Sequence, residues 1–285
     1  MLEFRLQVLE EVDSSNSVVK RALEDGQPEG LAIQARRQTG GYGRQGRGWA
    51  SPEGGMYLSL LLRPQVSLAQ LPTLSLVTGL AVRDALRSLV VAEEARRIVV
   101  KWPNDVVYDE GEGACPGAAP WGGPVAAAST LTAQIAGGER LNKATLRKMC
   151  GISLESHGGG ICIGIGVNVL PPAAPAAVSG NRPLYLAELG YGHTCQQQQA
   201  VDEVAQAVLG QFARLYTRWL QEGFAPFAAG FSQDNPLAGK RVAMVDVEGR
   251  PLAEGVAQGV DERGNLLLLT ADGPRAMGFG EAHIV

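Results

Sequence analysis

A glycine-rich segment between two apolar runs is the feature that most constrains how this chain folds. Residues 38–49, which we call the glycine loop, hold five glycines, two arginines and one tryptophan. The apolar runs on either side, residues 31–35 and 56–63, predict two core strands. Glycines at this density let the backbone approach a ligand closely, and arginines on such a loop suit an anionic ligand. A phosphate loop and a dinucleotide-binding loop are both disfavoured because a strand follows, whereas composition alone leaves open a mobile, solvated hairpin loop.

Length and composition bound the remaining possibilities. The chain has 285 residues, of which 45% are hydrophobic, so it has room for one large and one small domain. A formal net charge of −4 offers no overall basic surface for nucleic acid. The four cysteines show no Cys-x-x-Cys spacing and none of the three histidines lies near a cysteine pair, so we expect free thiols and no zinc site. Without a signal peptide or a run of about 18 apolar residues, the sequence predicts a cytoplasmic protein with no membrane span.

Two further motifs follow the glycine loop. Residues 97–107 predict a strand that reaches Trp-Pro-Asn-Asp, and residues 151–155 and 161–169 contain Gly-Ile-Ser-Leu-Glu and Gly-Ile-Gly-Val-Asn. In this order the motifs resemble those of the biotin protein ligases, and the resemblance runs from about Val12 to the C-terminus. It implies an enzyme that activates biotin with ATP, releases diphosphate, and attaches the biotin to a lysine of a biotin carboxyl carrier protein.

The expected fold class is α/β, of the α+β type. The resemblance implies a mixed-sheet catalytic domain of the biotin/lipoate ligase class over residues 1–234, and a small SH3-like β-barrel over residues 235–285. The apolar residues 98–100 are interpreted as a central strand, and the spacing of apolar residues over 201–220 predicts a helix. Residues 109–145, rich in glycine, alanine and proline, are interpreted as an atypical surface insertion.

The family's functional residues can be placed on matching positions of this sequence. The resemblance implies three catalytic residues, which are Lys148, Arg44 and Asp105. Lys148 would offset the charges of the biotin carboxylate and the α-phosphate, and Asp105 would bind Mg²⁺ or orient the reacting lysine. The implied biotin contacts are Ser14, Ser15, Asn16, Gln38, Gly41, Tyr42, Gly43, Arg44, Lys148 and Gly151. The implied ATP contacts are Arg44, Arg47, Trp49, Lys101, Asn104 and Asn168. ATP and biotin would bind as substrates together with a Mg²⁺ ion, and no tightly bound prosthetic group is expected.

Simpler structural roles compete with several of these assignments. Ser14 and Ser15 also suit the start of a helix, Asp105 suits a turn, and Trp49 suits packing of the loop on the sheet. Three positions depart from the family pattern: Tyr42 stands where most relatives have arginine, Ser15 replaces threonine and Ser153 replaces leucine. The tyrosine leaves the glycine loop with one positive charge fewer, which puts closure of the loop over the intermediate in question.

The resemblance also sets expectations about partners. The acceptor would be the carrier domain of a biotin-dependent carboxylase. Bifunctional members of the family carry an N-terminal DNA-binding domain, but the first catalytic strand is predicted to start at about Phe4, so no DNA binding is expected. Many relatives dimerise through the catalytic sheet, and a homodimer is left open. Two rival functions are a ligase acting on lipoate or octanoate, and a non-catalytic sensor that binds biotin or biotinyl-5′-AMP.

Overall fold

The computed structural model describes residues 2–111, 145–173, 182–192 and 196–285. These residues form two β-sheets flanked by α-helices, as expected for the α+β class. The insertion interpreted at residues 109–145 lies almost wholly outside the described residues, so that interpretation stays a prediction.

A seven-stranded mixed sheet is the larger of the two. Its strands are β1 (Arg5–Val12), β2 (Leu31–Gln38), β3 (Met56–Leu62), β4 (Ile98–Lys101), β5 (Asp105–Asp109), β6 (Leu146–His157) and β7 (Gly160–Val167). They lie in the order β1-β2-β3-β7-β6-β5-β4. β1 and β2 pair in parallel and are joined by helix α1 (Ser15–Glu24), since parallel neighbours need a crossover connection. The other neighbours pair antiparallel.

The interpretation of residues 98–100 as a central strand is wrong. β4 forms one edge of the larger sheet. Ile98, Val99 and Val100 are buried all the same, because helix α2 (Thr73–Arg87) packs against this strand. A continuous apolar run indicates that both faces of a strand are covered. It carries no information about the position of the strand in the sheet.

The prediction of a helix over residues 201–220 is confirmed by α4 (Gln197–Glu222), which follows the short helix α3 (Ala92–Ala95). Helix α4 packs against α2. Within it, Tyr216 stacks between Phe212 and Trp219, with ring centroids 5.4 Å and 5.9 Å apart. The predicted inward residues are all buried, and they are Val204, Val208, Phe212, Leu215 and Trp219. None of the helices in the described ranges is long and apolar enough to cross a membrane.

A five-stranded antiparallel sheet follows helix α5 (Ala225–Gln233). Its strands are β8 (Arg241–Val245), β9 (Pro251–Val260), β10 (Leu266–Thr270), β11 (Gly273–Met277) and β12 (Glu281–Ile284), in the order β11-β10-β9-β8-β12. This small sheet agrees with the expected SH3-like fold. The turn between β9 and β10 contacts the turn between β4 and β5, since the Trp102 indole donates a hydrogen bond to the Gly264 carbonyl at 3.0 Å. The boundary between domains at residues 234 and 235 stays a prediction.

Candidate active site

One cavity of about 310 Å³ lies over the larger sheet. Its walls come from the first turn of α1, the glycine loop, the turn between β4 and β5, the strands β6 and β7, and β12. The predicted site residues that line it are Ser14, Ser15, Asn16, Gln38, Tyr42, Gly43, Arg44, Arg47, Trp49, Lys101, Asn104, Asp105, Lys148, Gly151 and Asn168. Gly41 is the exception, because it packs behind the lining, where an added Cβ would lie 2.3 Å from Ser51 Oγ. The structure therefore brings residues of all three motifs to a single cavity.

Hydrogen-bonding side chains are concentrated where α1 meets the sheet, in a region we call the polar end. The backbone N–H and the hydroxyl of Ser15 both donate to Gln38 Oε1, at 2.8 Å and 2.9 Å. Ser59 donates to Asn16 Oδ1 at 2.6 Å, and Asn16 Nδ2 donates to Ser153 Oγ at 3.2 Å. The serine that replaces the family's leucine at position 153 is thus part of this network. Because these groups are buried and mutually oriented, they can recognise a compact polar group.

Helix capping is the alternative role for Ser14, which precedes the first turn of α1. Ser14 occupies the N-cap position with an extended backbone, but its side chain makes no capping hydrogen bond. Its carbonyl accepts from the Val18 N–H at 3.2 Å instead. Ser14 lines the cavity and its side chain does not cap the helix, so capping does not account for the residue type at this position.

Glycines in β6 and β7 form the floor of the cavity. A Cβ at Gly164 would lie 2.4 Å from Asn16 Oδ1, and a Cβ at Gly166 would lie 2.8 Å from Trp49 Nε1. A Cβ at Gly151 would meet the same tryptophan at 3.0 Å. The absence of these side chains lets α1 and Trp49 lie directly on the sheet. Trp49 therefore packs on the sheet and also walls the cavity, so the two alternatives for this residue do not exclude each other.

The glycine loop is a small hairpin held over the cavity by its side chains. Its strands are joined by hydrogen bonds from Trp49 N to Gly41 O and from Gly43 N to Arg47 O, each 2.8 Å long. Arg44 Nη1 donates to Asn104 Oδ1 at 2.9 Å, which ties the loop to the turn between β4 and β5.

Arg47 ties the same loop to the smaller sheet. Its guanidinium lies 2.5 Å from Glu281 on β12. Burial lowers the pKa of Arg44 from its ordinary value, but an arginine stays charged at neutral pH. Both guanidinium groups therefore contribute positive charge to the cavity lining.

A β-bulge aims Lys148 into the cavity. Strict alternation along β6 would place Lys148 on the face opposite Gly151 and Ser153. The register between β5 and β6 shifts at this point, where Val106 pairs with Cys150 and Val107 pairs with Lys148, so that one extra residue lies between them. Such a bulge re-aims the side chains that precede it, and Lys148 consequently shares the cavity with the glycines of the floor.

Lys148 and Asp105 form an ion pair inside the cavity. Lys148 Nζ lies 2.7 Å from Asp105 Oδ1 and 5.3 Å from the centre of the Trp49 ring. The side chains of the ion pair are 20% and 17% exposed, so water screens them less than it screens surface charges. This contact fits a carboxylate that orients a lysine.

The charged residues of the lining are mostly basic. They comprise four cations, Arg44, Arg47, Lys101 and Lys148, and two carboxylates, Asp105 and Glu281. The low exposure of Lys148, at 20%, strengthens its field relative to that of a charge in bulk water. With the polar end on one side and these cations on the other, the cavity suits an elongated ligand that carries a polar head and an anionic tail.

Several lining residues were missed by the reasoning from sequence. Glu281 and His283 come from β12, more than one hundred residues after the third motif, and no local pattern marks them. Tyr57 and Tyr185 line the region beside Asn168. The alternation of side chains along a strand predicts that Tyr57 shares a face with Ser59, so Tyr57 could have been found from the sequence. Tyr185 lies in an irregular segment that offers no such signal.

Comparisons with known proteins agree with this geometry. The model of the Biotin/lipoate A/B protein ligase family matches residues 8–168, and that of the Biotin protein ligase C terminal domain matches residues 238–283. The chain is 29% identical over 267 residues to a biotin–[acetyl-CoA-carboxylase] ligase of Paracoccus denitrificans, covering 92% of each chain. It is 25% identical to the enzyme of that name from Mycobacterium tuberculosis, covering 93% of this chain and 83% of the relative.

A solved structure shows the same fold. The biotin protein ligase from Aquifex aeolicus in complex with biotin and ATP superposes with a TM-score of 0.73 at 27% sequence identity. The match covers 99% of this chain and 98% of the other. Both sheets are therefore shared with that protein.

Proposed function

Because this chain belongs to the biotin/lipoate A/B protein ligase family, we propose that it activates biotin with ATP and transfers it to a lysine of a biotin carboxyl carrier protein. The observation that carries the proposal is the cavity itself. Its polar end and its four cations, Lys148 among them, line one cavity, and the Paracoccus denitrificans and Aquifex aeolicus relatives that match over nearly the whole chain are biotin ligases.

The polar end is the proposed site for the ureido head of biotin. A ureido group has one carbonyl acceptor and two N–H donors, and the hydroxyl and amide groups of Ser15, Asn16 and Ser153 offer both partners. The apolar valeryl chain would then run along the glycine floor and the Trp49 ring. This places the carboxylate near Lys148.

The first reaction step forms a mixed anhydride. One oxygen of the biotin carboxylate attacks the α-phosphorus of ATP, the bond from that phosphorus to the bridging oxygen breaks, and diphosphate leaves. Two anions must approach each other, so the cationic groups of Lys148, Arg44 and Arg47 lower the barrier by offsetting their repulsion. No side chain has to act as a nucleophile, and the contribution of the protein is position and charge.

The second step transfers biotin to the acceptor. The neutral amine of the carrier lysine attacks the carbonyl carbon of biotinyl-5′-AMP, AMP leaves, and the nitrogen loses a proton as the amide forms. Coverage by the glycine loop keeps the anhydride away from water until the acceptor arrives. Asp105 keeps Lys148 in place through both steps by their ion pair.

Magnesium was assigned to Asp105 from the resemblance. Magnesium is commonly held by one or two carboxylates together with substrate phosphates. Here the carboxylate of Asp105 is engaged by Lys148, and no group of three or more His, Cys, Asp or Glu side chains in the described ranges could hold a metal. The residues do not build a protein-held metal site, so no step is assigned to the ion, and Asp105 as a magnesium ligand stays a prediction.

A lipoate ligase is the rival that the polar end disfavours. The dithiolane ring of lipoate has no N–H or carbonyl group, so it would form no hydrogen bonds with the buried amide and hydroxyl groups and would only exclude water from them, which costs binding energy. A non-catalytic sensor is disfavoured because Lys148, Arg44 and Asp105 are present together in the cavity.

Substrate-dependent exchange of labelled diphosphate into ATP tests the proposal. Biotin is expected to support exchange, and lipoate and octanoate at equal concentration are expected to support none. Exchange with lipoate but not biotin would overturn the assignment in favour of the rival ligase. Binding of biotin without any exchange would favour the sensor.

The finer expectations stay predictions. These are a cytoplasmic location and the homodimer that the resemblance leaves open. The Aquifex aeolicus structure with bound biotin and ATP supports these two molecules as substrates here.

A further inference from the structure

A charged cluster lies directly behind the polar end and takes no part in the chemistry described above. It consists of Lys20 on α1, Glu155 on β6 and Tyr42 at the base of the glycine loop. Lys20 forms an ion pair and hydrogen bond with Glu155, and the two side chains are 25% and 29% exposed. Lys20 Nζ also lies 5.2 Å from the centre of the Tyr42 ring, within the range of a cation–π interaction.

The cluster connects to the polar end through Asn16. Asn16 Nδ2 lies 3.3 Å from Glu155 Oε1 and 3.2 Å from Ser153 Oγ, so the amide is held between a carboxylate and a hydroxyl. Its oxygen accepts from Ser59 at 2.6 Å. The orientation of the Asn16 amide therefore depends on where the Glu155 carboxylate lies.

Lys20 is the cation that fixes that carboxylate. Three elements meet at its ammonium group: α1 carries it, β6 supplies Glu155 and the glycine loop supplies Tyr42. Without Lys20, the partly exposed Glu155 carboxylate would turn towards solvent, and the amide of Asn16 would lose a charged acceptor. The Tyr42 ring would at the same time lose the contact that holds it against α1.

We propose that Lys20 is a positioning residue for the biotin site, which sets the orientation of Asn16 through Glu155 and the position of the glycine loop through Tyr42. The proposal rests on the proposed function, since it assigns the polar end to biotin. It concerns binding of the polar head, which precedes the chemistry at Lys148. Loss of the Lys20 charge therefore raises the dissociation constant and KM for biotin and leaves kcat and the KM for ATP nearly unchanged.

The test compares three variants with the wild type. Lys20→Met keeps the length of the side chain and removes its charge, and Lys20→Arg keeps the charge. Arg21→Met is the matched control, because Arg21 is the next basic residue of α1, its side chain is 62% exposed and it faces Asp13 at 3.8 Å. Biotin binding is measured by titration calorimetry without ATP, and kcat and both KM values by diphosphate release.

The expected result is a rise in the biotin dissociation constant of about tenfold for Lys20→Met, the scale of a hydrogen bond to a charged group. Lys20→Arg should recover most of the affinity, and Arg21→Met should bind as the wild type does. A merely structural role would lower the melting temperature and the active fraction without changing the affinity of the folded molecules, so thermal unfolding is recorded for each variant.

Two other outcomes distinguish failure of the inference about Lys20 from failure of the proposed function. If the wild type binds biotin and Lys20→Met binds it equally well, or loses kcat at unchanged biotin KM, the inference about Lys20 is overturned and the proposed function stands. If the wild type binds no biotin, both fail. If Lys20→Met does not fold, comparison of Lys20→Arg with Lys20→Gln decides, and equal biotin affinity in those two variants would overturn the inference.

Discussion

Replacing Gly164 by alanine is a single-carbon change that tests the architecture of the polar end. Gly164 lies in β7, between Ser59 on β3 and Ser153 on β6, with which it pairs in the sheet. The added Cβ would lie 2.4 Å from Asn16 Oδ1, 2.7 Å from Asn16 Nδ2 and 2.7 Å from Ser153 Oγ. Because strands on both sides hold the backbone of Gly164, the Asn16 amide must give way.

The hydrogen bonds of Asn16 set the size of the effect. The amide makes three with oxygen partners, at 2.6 Å with Ser59, 3.2 Å with Ser153 and 3.3 Å with Glu155, and its oxygen also accepts a weaker one from the Cys162 thiol at 3.7 Å. A net hydrogen bond contributes about 1 kcal/mol, so displacement of the amide should reduce the free energy of unfolding by about 2–3 kcal/mol. A misplaced amide should also weaken biotin binding by about 30-fold, which corresponds to about 2 kcal/mol.

Gly210→Ala is the matched control for this substitution. Gly210 lies within α4, and a Cβ there would meet nothing within 4 Å. The same chemical change should therefore stabilise the protein by up to about 1 kcal/mol, because alanine favours the helix. Urea unfolding measures both stabilities, and titration calorimetry measures both biotin affinities. Gly164→Ala protein that binds biotin as tightly as the wild type would refute the placement of the biotin head against Asn16.

Three further predictions follow from charge and burial. Arg44→Lys should lower kcat/KM for adenylation at least about tenfold, because lysine lacks the planar fork that contacts an anion at two points; diphosphate release measures it, and an unchanged value would remove Arg44 from the reaction. Burial raises the pKa of the Cys150 thiol, and that of Cys162 to about 12, so neither should be alkylated at pH 8 in folded protein, as peptide mass mapping would show. Hydrogen bonding from Arg36 holds the pKa of Asp202 below its usual range. Asp202→Asn should therefore destabilise the protein above pH about 4, and the difference in stability from the wild type should vanish as the pH falls through the lowered pKa. Urea unfolding at a series of pH values measures this difference, and a difference that persisted at low pH would contradict the prediction.

Local patterns predicted those parts of the fold whose contacts are local. The glycine loop lies between β2 and β3, as the flanking apolar runs indicated. Helix α4 follows from the spacing of its apolar residues, because a helix that packs on one side buries every third or fourth residue. The position of residues 98–100 in the sheet could not be predicted in this way, since β4 owes its burial to α2, a partner distant in the chain.

The candidate site was predicted mainly through its motifs. Asp105 was predicted from its match to the Trp-Pro-Asn-Asp motif, which carries no information about how its side chain reaches the cavity. The sheet is antiparallel at this point, and Asp105 begins β5 after a turn. It reaches the cavity through its pairing with Lys148, which depends on the bulge in β6, and no feature of the sequence marks that bulge.

The residues that distant elements contribute to the site could not be predicted from the sequence. Glu281 meets Arg47 only because the smaller sheet packs beside the glycine loop. The sequence pattern indicates only that Lys20 is one polar residue on the outer face of an amphipathic helix. Its contacts with Glu155 and Tyr42 join three elements that lie far apart in the chain.

Transfer of labelled biotin to a carboxylase carrier domain, in the presence of ATP and Mg²⁺, tests the central claim most directly. The wild type and Lys240→Ala should both label the carrier, since Lys240 lies outside the cavity. Lys148→Ala should transfer at least about 100-fold more slowly, the scale of losing one charge that stabilises a transition state. Transfer by Lys148→Ala at the wild-type rate, or a wild type that binds biotin and never labels the carrier, would contradict the account.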